Sequence, residues 1–151
     1  MAIRQKSVIT ARLTGKGTSH ARSEISVRDV LGVIDEPLER GGTNEGMSPT
    51  ETGFAALIGC TNVIGSKCAQ KLGVDVGHLS FEMEVDFDRR GVLLVEEIEV
   101  PFVAIRLTVS ADGPASQADL DRVAVETDKF CPLAKLYRNS GTDLTTTWVK
   151  G

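Results

Sequence analysis

Histidine is scarce in this chain, long apolar runs are missing, and cysteine occurs only three times. Each shortage removes a class of function. The two histidines, His20 and His78, stand far from any cysteine in sequence, so a zinc site has poor support. Cys60, Cys68 and Cys131 make an odd count without a C-x-x-C pair. That argues against the disulfide framework of a small secreted domain and for a reducing, cytoplasmic setting. No apolar run approaches the ~18 residues that cross a bilayer. The opening Met1-Ala2-Ile3-Arg4-Gln5-Lys6 lacks the apolar stretch of a signal peptide. Seventeen basic residues against 21 acidic ones leave a net charge of −4. The basic residues are scattered, so there is no electrostatic footprint for nucleic acid. Repeats and low-complexity tracts are absent, and neither membrane nor nucleic acid is expected as a partner.

What remains is an ordinary globular composition, 41% hydrophobic over 151 residues. That length suits a single domain, here residues 1–151, which hides roughly 70% of the surface its unfolded chain exposes. Val8 to Leu13 alternates in strand fashion, Gly15-Lys16-Gly17 reads as a hairpin turn, and Ile25 to Val33 suggests returning strands. Glu39 to Met47, with Gly41, Gly42 and Gly46, reads as a loop. It carries neither G-x-G-x-x-G nor a P-loop lysine, so it is no phosphate cradle.

The next element is marked by its start and stop. Ser48 suits an N-cap, Pro49 the first helical position, and Glu51 completes a capping box, while Gly73 closes the helix after Leu72. Between Gly53 and Gly65 no residue is charged, which predicts a helix buried all round. Gly53, Gly59 and Gly65 each cost about 1 kcal/mol of helix propensity, a cost that close packing against another backbone would justify. One chain of this size has little with which to enclose such a helix, so a homodimer is expected.

Leu79 to Phe87 alternates apolar with acidic or polar residues, the pattern of a strand with one wet face. Arg89-Arg90-Gly91 turns the chain; Val92 to Val100 and Phe102 to Ala111 are the predicted following strands. Ser116 caps a helix whose stripe is Leu120, Val123, Thr127, Phe130 and Cys131, ended by Pro132. Thr142 to Lys150, with the lone Trp148, is a last strand. The order predicts an α+β fold with antiparallel sheet and packed helices.

Chemistry rests on Cys60 and Cys131. A free cysteine is commonly a small buried hydrophobe, and Cys68 reads as core filler of that kind. Cys60, midway along its helix, is too far from the N-terminus to gain a strong thiolate-favouring field and would need a nearby cation. Lys67 lies about 10 Å along the axis; Arg12 or Arg22 could come closer, and periodicity does not choose among them. Glu51, about 13.5 Å along the axis from Cys60 and on the opposite face, would act only through an intermediary such as an arginine. A Cys60–Cys131 disulfide needs Cα atoms roughly 4.4–6.8 Å apart, which the fold alone can provide.

Gly41-Gly42, Ser48-Pro49-Thr50-Glu51, Ala55-Ala56-Leu57-Ile58-Gly59-Cys60-Thr61 and Phe130-Cys131-Pro132-Leu133 together resemble the OsmC/Ohr family over nearly the whole chain. The resemblance implies an OsmC-like α+β fold and an intertwined homodimer with two central helices and sites at the subunit interface. It also implies a thiol peroxidase reducing organic hydroperoxides or H2O2. Cys60 would attack the peroxide, Cys131 would resolve the sulfenic acid, and an external dithiol would restore both thiols, with no metal or organic cofactor. Well-studied members carry Glu directly after the helix-opening Pro; here Thr50 stands there and Glu51 follows. Lys16 lies nearest the position of the family's hairpin arginine, flanked by Arg12 and Arg22, and lysine lacks arginine's fork. A dimer that binds a hydrophobic small molecule without turnover is the alternative, and a structural dimer with inert thiols a third.

Overall fold

The computed structural model describes residues 6–151; the opening residues read above for a signal peptide lie outside that range save Lys6. The chain divides into two compact units, one ending at Phe54 and one running Ala55–Gly151. Among the described residues no helix is long and apolar enough to cross a membrane.

The first unit holds an antiparallel sheet of β1 (Thr14–Gly17), β2 (Arg22–Val27) and β3 (Val30–Asp35), in that order. This corrects the predicted first strand. Val8 to Leu13 is not strand, and Gly15-Lys16-Gly17 is strand instead of turn, because Ile25, Glu24 and Ser23 of β2 supply its partners. Alternation alone sets no hydrogen-bonding neighbour. The β2–β3 hairpin forms as expected, with Arg28 in the left-handed region at φ 54°. After β3 a short 3-10 turn, Leu38–Arg40, leads into the glycine loop. Asp35, fully buried, fastens that loop: its Oδ2 accepts from the Thr43 hydroxyl at 2.6 Å and from the Thr43 and Glu45 amides at 3.1 Å each. These bonds, the Thr43 hydroxyl foremost, hold the Asp35 carboxyl below the usual carboxylate range.

Helix α1 (Pro49–Leu72) begins in the first unit and continues into the second. Its predicted capping box is present: the Ser48 amide donates to Glu51 Oε2 at 2.8 Å, and the Glu51 amide donates to Ser48 Oγ at 3.3 Å. At the far end Gly73, at φ 69°, donates to the Gln70 carbonyl and Val74 to the Ala69 carbonyl, the paired bonds of a Schellman stop. One chain alone encloses only part of α1. Within this chain only a stripe of Leu57, Thr61, Gly65, Cys68 and Ala69 is buried, and Ala56, Gly59 and Val63 are exposed.

In the second unit β4 (Leu79–Phe87), β5 (Phe102–Ala111) and β6 (Asp143–Lys150) form a sheet in that order. β4 alternates as predicted, and its antiparallel partner is β5. The strand expected over Val92 to Val100 does not form. That segment folds on itself, Leu93 donating to the Arg89 carbonyl and Val95 to the Arg90 carbonyl, and Arg90 pairs with Asp88 and Glu96. Leu94, in the left-handed region at φ 58°, interrupts any extended run there.

The predicted all-antiparallel arrangement is also corrected: β5 and β6 run parallel. Two helices, α2 (Gln117–Phe130) and α3 (Pro132–Asn139), carry the chain back between them, the long crossover that a parallel pair requires. Ser116 caps α2 as read, its Oγ accepting from the Asp119 amide. In sequence Pro132 reads only as a stop; it also opens α3, its fixed φ suiting the first position. Ile105, Leu107 and Val109 of β5, Leu120 and Val123 of α2, Leu57 of α1 and Trp148 of β6 form the core.

Candidate thiol site

Cys60 faces the junction of α2 and α3, and five residues further on α1 lies tight against β6. At Gly65 an added Cβ would lie 2.6 Å from Cη2 of Trp148 and 3.7 Å from the Thr127 hydroxyl, so only glycine admits this spacing. Gly65 meets Thr127, and Cys60 meets Cys131 further along; the two helices therefore run in opposite directions. Both helices of the crossover are tied to β6. The Gln117 side-chain amide donates to the Trp148 carbonyl at 2.7 Å, and the Arg138 guanidinium donates to the Leu144 carbonyl at 3.2 Å while pairing with Asp128 of α2 at 3.0 Å.

Cys131 stands at the joint, closing α2 and capping α3. Its amide donates to the Thr127 carbonyl at 2.9 Å. Its sulfur accepts from the Ala134 amide at 3.4 Å and donates to Cys60 Sγ at 3.2 Å. The two sulfurs are free thiols about 1.2 Å beyond disulfide bond length. Cys131 is only 1% exposed, whereas Cys60 is half-buried. Burial pushes the Cys131 thiol up, the Ala134 amide opposing it. Cys131 is thus a protonated donor at rest, and Cys60 is the sulfur nearer solvent. Two thiols so placed can close to a disulfide with little movement once one of them is oxidised.

The remaining predicted residues lie in the first unit. Glu51 is the capping partner of Ser48, whose amide, first among the causes, holds the Glu51 carboxyl below its usual value. Arg22 on β2 is engaged by carboxylates, Nε donating to Glu45 at 2.6 Å and Nη1 to Glu24 at 2.9 Å. Lys16 is exposed on β1, in register with Glu24, and Arg12 is exposed ahead of that strand. Cys68 is buried, as expected of core filler. The residue that the sequence reading missed is Ala134, whose amide meets the Cys131 sulfur. Its signal was the Cys-Pro pair followed by the helix-forming Leu133 to Arg138, an N-cap and first position in the right order.

The OsmC-like protein family model matches residues 42–147. The fold is similar to that of an OsmC like protein from Mycoplasma pneumoniae, with a TM-score of 0.76 at 14% identity over 93% of this chain and 98% of that one. It is similar to an organic hydroperoxide resistance protein OsmC from Legionella pneumophila, with a TM-score of 0.70 at 17% identity over 95% and 98% of the two chains. The organic hydroperoxide resistance protein OhrB of Bacillus subtilis gives 0.65 at 17% identity over 93% and 98%. Comparison with curated proteins found no match. With the family model covering well over half of its length, the chain belongs to the OsmC-like protein family.

Proposed function

We propose that this protein is a dimeric thiol peroxidase that reduces organic hydroperoxides. The observation that carries the reading is the 3.2 Å approach of Cys60 Sγ to the buried Cys131 Sγ, from residues 71 apart in sequence. Relatives named organic hydroperoxide resistance proteins support the substrate class.

The Cys60 thiolate attacks the peroxide O–O bond, forming Cys60 sulfenic acid and an alkoxide that takes a proton to become the alcohol. Cys131 then condenses with the sulfenic acid, forming the S–S bond and releasing water. An external dithiol exchanges with the disulfide and leaves both protein thiols reduced. The family resemblance assigns the supporting positive charge to Arg22, Arg12 or Lys16, with Glu51 acting through an arginine; these roles are part of the proposal. So is the homodimer, which the uncovered Ala56, Gly59 and Val63 face of α1 supports.

The test is consumption of cumene hydroperoxide with dithiothreitol as reductant. Cys60→Ser abolishes turnover. Cys131→Ser slows it by about tenfold or more, because an intermolecular thiol replaces one held in place. Turnover undiminished in Cys60→Ser sinks the reading.

A further inference from the structure

We infer that the external dithiol attacks Cys60 Sγ and that Cys131 Sγ leaves, held where it already sits on the N-terminal amides of α3. This rests on the two-thiol reading above and adds the direction of its reductive half.

Thiol–disulfide exchange depends on which sulfur the attacking thiolate can reach and on how well the other carries the displaced charge. Access separates the two sulfurs. Cys131 is 1% exposed at the α2–α3 joint, beside the buried Ala134 whose amide reaches its sulfur. Cys60 is half-buried, the more exposed sulfur of the pair. The leaving side is built as well. Cys131 is the N-cap of α3, and the Ala134 amide already points at its sulfur at 3.4 Å. A thiolate formed there gains a charge-assisted hydrogen bond without moving, which offsets part of the cost that burial places on its charge.

The step balances as follows. One thiolate of the dithiol bonds to Cys60 Sγ as the Cys60–Cys131 bond breaks, and the electron pair stays on Cys131 Sγ. Burial favours the thiol form of Cys131, so the displaced thiolate takes a proton from solvent and loses its power to re-attack. The dithiol's second thiolate then attacks its own partner sulfur in the mixed disulfide. This releases the Cys60 thiolate and the oxidised, cyclic reductant.

The experiment uses the wild-type chain oxidised with diamide, so that bond formation does not depend on peroxide turnover. After intact mass has verified the loss of two hydrogens, 2-mercaptoethanol is added, and samples are quenched in acid at early times and peptide-mapped. Cys68 is read separately in the same map. The expected result is the mercaptoethanol adduct on Cys60 in about tenfold or greater excess over Cys131, with Cys131 recovered as free thiol. Adduct on Cys131, or an even division, overturns the inference while leaving the two-thiol reading intact. Failure of diamide to join Cys60 to Cys131 overturns both.

Discussion

At Gly65 the α1 backbone passes so near the Trp148 ring that a methyl group has no room: its carbon would lie 2.6 Å from Cη2 and 3.1 Å from Cζ2. Trp148 is 3% exposed on β6 and cannot swing aside without opening the core. Gly65→Ala would gain about 1 kcal/mol of helix propensity, yet overpacking of this kind costs roughly 1–3 kcal/mol and displaces neighbours. The variant is expected to be less stable in urea unfolding followed by Trp148 fluorescence. Unchanged or raised stability would mean that the α1–β6 spacing is looser than described. The other site residue with a settled local task is Ala134, whose amide donates to the capping Cys131 sulfur.

At the scale of elements, the start of α1 has a pH signature. The Ser48 amide holds the Glu51 carboxyl below its usual value, so the folded chain binds that proton less readily than the unfolded one. The stabilisation is therefore complete above the unfolded carboxylate range, about 4.3. It is lost as pH falls through the lower folded value. Glu51→Ala is expected to be less stable than wild type in denaturant at pH 7 and equal to it in strong acid. A difference that persists in acid would assign the loss to something other than this carboxylate. Elements with their own punctuation were legible in sequence: α1 between Ser48 and Gly73, α2 behind Ser116, and β4 and β5 by alternation. Those that depend on partners were not. Val8 to Leu13 alternates without a neighbour to pair with, whereas the glycines of β1 find one in β2. The parallel setting of β6 follows from the α2–α3 crossover, and α3 was hidden because proline both stops and starts helices. The contexts of Cys60 and Cys131 were visible, but their 3.2 Å approach is tertiary and had to come from the structure.

For the whole molecule, the exposed Ala56, Gly59 and Val63 face of α1 is the surface on which association turns. Gly59 has helical backbone and open space around its missing Cβ, so within one chain alanine would be harmless or stabilising by up to about 1 kcal/mol. If a second copy packs there, as proposed, the added methyl falls into the interface. Gly59→Ala is then expected to sediment with a larger monomer fraction than wild type at equal concentration. Equal association would remove this face from the dimer contact. The central claim, that Cys60 and Cys131 act as one redox pair, is tested most directly by intact mass. Reduced protein treated with one equivalent of cumene hydroperoxide should lose two hydrogens, with Cys60 and Cys131 joined in the digest and no loss in Cys60→Ser. A mass that stays unchanged, or one that gains oxygen and never closes to a disulfide, would contradict it.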